Sequence, residues 1–151
     1  MALRSACVIR VAQPQDSNGL VGLAAQLGYE CTEQEIQRRL EEMQDSRQYA
    51  VYVAELSGFD VVGWIGVYVF RAVELENSAE ITGLIVDEGL RSSGIGKKLL
   101  DAAEAWARNV GCTAISVHSN VIRDQAHRFY TSNGFELLKT QRMFHKPLSK
   151  H

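Results

Sequence analysis

Leu84-Ile85-Val86-Asp87-Glu88-Gly89-Leu90-Arg91-Ser92-Ser93-Gly94-Ile95-Gly96-Lys97 reads as a strand end, a loop of small residues and a helix start. The strand begins near Ala79 and runs to Asp87 (AEITGLIVD), apolar enough on both faces to sit centrally in a sheet. Past the loop, Ile95, Leu99, Ala102, Ala103, Trp106 and Val110 fall on one helical face, and Gly111 ends the helix. Gly94 and Gly96 lack a Cβ, so ligand oxygens can come close to the backbone amides. Those amides are the unpaired N–H groups of a helix N-terminus, where the helix dipole adds positive potential. Arg91, Lys97 and Lys98 add further positive charge. Together they predict a pyrophosphate cradle. It is not a Walker loop, because Ile95 stands where lysine is required, nor a dinucleotide fingerprint, because Leu99 replaces the third glycine.

Working outward, Thr113 to Ser119 reads as a strand, and Ile122, Ala126, Phe129 and Tyr130 mark the face of a helix ending at Asn133-Gly134. Two short strands are expected around Phe135–Lys139 and Arg142–Lys146. Upstream, Ala6 to Val11 reads as a strand. Asp16 or Ser17 then caps a helix carrying Leu20, Leu23, Ala24 and Leu27, closed near Gly28. Thr32-Glu33-Gln34-Glu35 is a capping box, followed by the stripe Ile36, Leu40 and Met43. Then the period changes to two: Tyr49–Leu56 and Val61–Phe70 form a hairpin around Ser57-Gly58-Phe59-Asp60. The helical crossover between the central strands implies a locally parallel pair.

The 151 residues, 46% of them hydrophobic and 23% charged, suit a single domain over 1–151 that buries roughly two-thirds of its unfolded surface. A net charge of −2 gives no electrostatic reason to expect nucleic acid. No apolar run approaches the ~20 residues of a membrane span. The opening MALRSACVIRVAQ lacks the apolar region of a signal peptide, so a cytoplasmic location is expected. Cys7, Cys31 and Cys112 are scattered and odd in number, which fits neither a disulfide framework nor a metal site.

Arg91-x-x-Gly94-x-Gly96, five residues after Val86, resembles the (Arg/Gln)-x-x-Gly-x-(Gly/Ala) loop of the GNAT superfamily of acetyl-CoA-dependent N-acetyltransferases. Ala126-His127-Arg128-Phe129-Tyr130-Thr131-Ser132-Asn133-Gly134-Phe135 is similar to that family's Ala-x-x-(Leu/Phe)-Tyr-x-x-x-Gly-Phe helix. The resemblance covers essentially the whole chain. It implies an α/β (α+β) fold with a mixed, mostly antiparallel sheet of six to seven strands, about four helices and a splayed central parallel pair. It implies acetyl-CoA (coenzyme A) bound by the amides from Arg91 through Ser92, Ser93, Gly94, Ile95 and Gly96 to Lys97. The backbone of Leu84, Ile85 and Val86 would pair with the pantetheine arm, and the Val86 amide would polarise the thioester carbonyl. Glu88 stands where the family often has proline. Arg123 stands where many members carry a pantetheine-contacting asparagine, with Asn120 as the alternative.

Aminolysis of a thioester needs a neutral amine and a protonated leaving thiol. Tyr130 matches the family's tyrosine acid, against the simpler reading of a core tyrosine. Glu80 is the candidate base; plain alternation sets it on the same face as Thr82, Leu84 and Val86. A glutamate here serves as base in some family members, while the plainer alternative is a solvated carboxylate. His118 is a second candidate base, and Tyr29, between the first two helices, a candidate acceptor-site residue. The expected partner is a small-molecule amine; monomer and homodimer both stay open. The Ala126–Tyr130 run resembles members that acetylate aminoalkylphosphonates and other small amines. Rival readings are a protein N-terminal or lysine acetyltransferase and a non-catalytic acyl-CoA-binding module.

Overall fold

A strand persists only where a neighbour takes up its N–H and C=O groups, and five segments meet that condition in the computed structural model of the protein. The structure describes residues 6–57, 60–91, 93–119 and 123–149. One compact unit runs over Met1–His118 and a second over Ser119–His151.

In the first unit, β1 (Cys7–Val11), β2 (Tyr49–Leu56), β3 (Asp60–Ala72), β4 (Leu75–Val86) and β5 (Ile115–Val117) form one sheet in chain order. The first four are antiparallel, and β5 joins β4 in parallel. The parallel pair is reached through helix α3 (Ile95–Asn109), as the sequence implied. Helix α1 (Ser17–Gln26) begins after a 3-10 turn at Pro14–Asp16, and α2 (Glu33–Met43) follows it. The capping box is present: Glu35 donates its backbone N–H to Thr32 Oγ1 at 3.1 Å, and Thr32 donates its own to Glu35 Oε1 at 2.9 Å. Asp16 precedes α1 but makes no side-chain cap; its carboxylate turns back to Gln13 N–H and Arg10 instead.

The core has two layers, one on each sheet face. On one face α3 buries Leu99, Leu100 and Ala103 completely. The approach is close: a Cβ on Gly63 would lie 3.2 Å from Leu99 Cδ1. Truncating a buried leucine such as Leu99 to alanine costs about 2–5 kcal/mol. On the opposite face α1 and α2 bring Leu20, Leu23 and Leu40 against Val53 and Ile85, with Val51 and Trp64 packed on the cluster.

The second unit holds α4 (Asp124–Ser132) and a segment without regular secondary structure after it. The strands expected around Phe135–Lys139 and Arg142–Lys146 do not form among the described residues, so the sheet has five strands rather than six or seven. Apolar and aromatic residues supply strand propensity, but a ladder also needs a partner. Here Leu137, Leu138, Met143, Phe144 and Leu148 are all exposed.

Candidate active site

The parallel pairing of β4 with β5 covers only Ala79–Ile81 opposite Ile115–Val117. β4 continues to Val86 with no strand paired to it on that side among the described residues, as a splayed pair requires. Antiparallel partners alternate between hydrogen-bonded and non-bonded positions. Asp87 donates to the Val62 carbonyl at 2.7 Å, so Ile85, two residues back, also turns its polar groups toward β3. Leu84 and Val86 turn theirs to the open edge, an arrangement that suits strand-like addition of an amide-bearing chain.

The loop beyond β4 is shaped by its own hydrogen bonds. Asp87 Oδ1 accepts the Gly89 amide at 3.1 Å, and a 3-10 turn covers Glu88–Leu90. Arg91 donates Nε–H to the Val86 carbonyl at 3.3 Å, and the Ser93 hydroxyl donates to the Leu90 carbonyl. Gly94 adopts a left-handed conformation (φ 89°) just before α3. The first intrahelical bond runs from the Lys98 amide to the Gly94 carbonyl, at 3.2 Å. The Ile95, Gly96 and Lys97 amides therefore precede the helical ladder, and no described residue accepts from them. Lys97 points its ammonium along the helix to Asp101 (3.2 Å), and Arg91 gives its Nε–H to Val86. At the start of α3 the unpaired donors are therefore backbone amides, with the Arg91 guanidinium at the same loop. Ser92 lies outside the described residues.

Glu80 corrects the simple alternation. A bulge at Thr82 breaks the β3–β4 register between Gly66↔Gly83 and Val67↔Ile81. Thr82 stays on the Glu80 face, with its hydroxyl over Gly66. Leu84 and Val86 pass to the α3 face, opposite Ile65 and Gly63, because the extra residue inverts the parity. Glu80 instead shares its face with Tyr68, its partner on β3, and with Ile85 in the layer under α1 and α2. The Tyr68 hydroxyl donates to Glu80 Oε2. Tyr49, opposite Tyr68 on β2, stacks on it with ring centroids 6.2 Å apart. The carboxylate it donates to, together with burial, pushes the Tyr68 phenol up to about 12. Sequence reasoning singled out neither tyrosine; only the strand register reveals them.

His118 lies just beyond β5, two residues after Ser116, the partner of Glu80, and is exposed. Tyr29 stands on the α1–α2 connection, 65% exposed. In the second unit, Tyr130 is half-buried on α4 with its ring edge-on to Phe129 and Phe135 (5.3 and 5.4 Å). Burial pushes its phenol up, and the Arg123 charge opposes the shift. Arg123 occupies the N-cap of α4, and Asn120 lies outside the described residues. Among the described residues no cluster of ligating side chains could hold a metal ion, and no helix is long and apolar enough to cross a membrane.

The sequence matches the model of the acetyltransferase (GNAT) family over residues 21–135. It is 30% identical to an aminoglycoside N(6')-acetyltransferase type 1 of Stenotrophomonas maltophilia, across 97% of both chains. A shorter match, 42% identical over 69 residues, is to the uncharacterised N-acetyltransferase YhdJ of Bacillus subtilis; it spans 45% of this chain and about half (47%) of that protein. Among solved structures, the aminoglycoside N-acetyltransferase AAC(6')-Iy in complex with CoA superposes with a TM-score of 0.84 at 19% identity, covering 97% of this chain and 98% of that one. With the open β4 edge and the unpaired amides at the start of α3, these matches establish that the chain belongs to the GNAT family of N-acetyltransferases, which draw the acetyl group from acetyl-CoA.

Proposed function

We propose that the chain acetylates a primary amine of a small molecule by direct attack on acetyl-CoA in a ternary complex, residues 1–151 acting as one cytoplasmic N-acetyltransferase domain. The open edge of β4 beyond Ile81, running straight into unpaired amides at the start of α3, carries this reading. The amides of Ile95, Gly96 and Lys97, with the Arg91–Gly94 turn, receive the pyrophosphate of the donor. Leu84 and Val86 pair with its amide-bearing arm, and the Val86 N–H polarises the thioester carbonyl. Arg123 and Asn120 are the residues assigned to the arm from the second motif.

On the acceptor side, an ammonium near the Glu80 carboxylate gives up a proton, and the freed lone pair attacks the carbonyl carbon. The C–S bond breaks, the departing thiolate takes a proton from Tyr130, and the surplus proton left on nitrogen passes to solvent, from which the phenolate is restored. A lysine-like ammonium has a pKa of about 10.4, so a base near the nitrogen raises the reactive fraction. The stacked faces of Tyr49 and Tyr68 beside that carboxylate suit a cationic acceptor. Tyr29 borders the acceptor route. A small acceptor is supported by the end-to-end match to an aminoglycoside acetyltransferase.

The test is thiol release from acetyl-CoA over a panel of neamine, an aminoalkylphosphonate, spermidine and peptides with free N-terminal or lysine amines. Turnover of a small amine, with a melting temperature raised by acetyl-CoA alone, is the expected result. Turnover of peptides only would reassign the acceptor to protein. A thermal shift without turnover would leave a binding module, and neither shift nor turnover would overturn the reading.

A further inference from the structure

Tyr68 and Glu80 face each other across β3 and β4, and the tyrosine hydroxyl donates to one carboxylate oxygen, Oε2. No other described residue bonds the carboxylate. The polar and titratable groups facing Glu80 are few: Tyr68 from β3, Tyr49 behind it on β2, Ser116 from β5 with His118 two residues further on, and Thr82 on its own strand. The Tyr68 ring is fixed from two sides, by its strand and by the Tyr49 stack. A carboxylate on a flexible stem is thereby tied at one oxygen to a rigid phenol.

We propose that Tyr68 is the positioning residue of Glu80: its hydroxyl anchors Oε2 to the sheet and leaves Oε1 as the oxygen that takes the amine proton. The proposal rests on the base role given to Glu80 above. The ammonium N–H bond breaks, the proton passes to Oε1, and the electron pair stays on nitrogen for attack on the thioester. Tyr68 keeps its own proton throughout, because its phenol lies well above working pH.

The experiment compares wild type, Tyr68→Phe, Glu80→Gln and the double variant, using the panel amine with the highest kcat/KM. Tyr68→Phe keeps the ring and its stack. It is expected to lower kcat about tenfold with KM for acetyl-CoA unchanged. In the Glu80→Gln background the same change should cost nothing further. Independently of any acceptor, the ultraviolet titration of phenols should show one tyrosine near 12 in wild type, moving toward the ordinary value of about 10 in Glu80→Gln. Melting temperature and the shift on adding acetyl-CoA report whether each variant is folded. Full kcat in Tyr68→Phe with loss in Glu80→Gln would overturn the positioning role and leave the base assignment standing. Equal losses from Tyr68→Phe in both backgrounds would show that Tyr68 acts without Glu80. Full kcat in Glu80→Gln would remove the base assignment and the positioning role with it. Should no amine be turned over, a phenol titration unchanged by Glu80→Gln overturns the pairing on its own.

Discussion

The Thr82 side chain occupies the space into which a Cβ on Gly66 would project, its hydroxyl oxygen at less than contact distance from that position. Gly66 is therefore required by close approach. The same approach seats the bulge that turns Leu84 and Val86 to the α3 face and keeps Glu80 on the other. Gly66→Ala is expected to destabilise the protein by about 1–3 kcal/mol, measured by denaturant unfolding. Adding Thr82→Ala removes the colliding oxygen and should recover most of that loss. An additive double variant would show that the bulge does not depend on this contact.

Much of the fold was legible because its signals are local. The Thr32 capping box, the α3 stripe from Ile95 to Trp106 and the strand–loop–helix at Leu84–Lys97 each rest on neighbours in sequence. Register is not local. Carried inward from Leu56↔Asp60 without a break, the β2–β3 pairing would set Tyr49 opposite Val67. The irregularity at Ala54/Glu55 sets it opposite Tyr68 instead. The second irregularity, at Thr82, inverts the parity between Glu80 and Val86. Each bulge adds one residue to one strand, a change that hydropathy alternation does not record. The Tyr49–Tyr68–Glu80 grouping was hidden for that reason. Around Leu137 and Phe144 the limit is different, since strand propensity there is not matched by a partner among the described residues.

Arg10 joins β1, β2 and the start of α1, donating to both Asp16 oxygens and to Glu55 Oε1 at 2.8 Å. The guanidinium, with the Gln13 amide, holds the Asp16 carboxyl below the ordinary carboxylate range. A depressed folded-state pKa contributes stability that is complete above the unfolded value, about 3.9, and is lost as pH falls from there through the folded value. Asp16→Asn is expected to cost about 2 kcal/mol at pH 7. The gap between variant and wild type should narrow on acidification below about pH 4. Urea midpoints collected between pH 7 and pH 3 measure this directly; a gap that stays constant would contradict the assignment.

Gly94 has φ 89° at the entry to α3, and nothing lies within 4 Å of a Cβ built there. The cost of Gly94→Ala is thus conformational alone, about 1–2 kcal/mol for a left-handed alanine. Asparagine tolerates this region better, so Gly94→Asn should unfold at a higher temperature than Gly94→Ala. Both add a side chain beside the Ile95 and Gly96 amides, so both should weaken acetyl-CoA binding in calorimetry. If binding is unchanged in both, the pyrophosphate does not reach these amides.

Tyr130 holds its proton above the ordinary range because burial among Phe129 and Phe135 disfavours the phenolate, more than the Arg123 charge favours it. A raised pKa keeps the acid form populated to higher pH, so any fall of wild-type kcat from loss of this acid should come above the pH of about 10 at which a free phenol is half ionised. Tyr130→Phe removes the donor while keeping the ring contacts. It should lower kcat by about 10²-fold, within the usual range for a lost general acid, and leave the thermal shift on adding acetyl-CoA intact. Arg123→Gln withdraws the opposing charge and should push the phenol higher still, and the pH of any such fall with it. An unchanged kcat across pH in Tyr130→Phe would take the tyrosine out of the reaction and leave thiolate protonation to solvent.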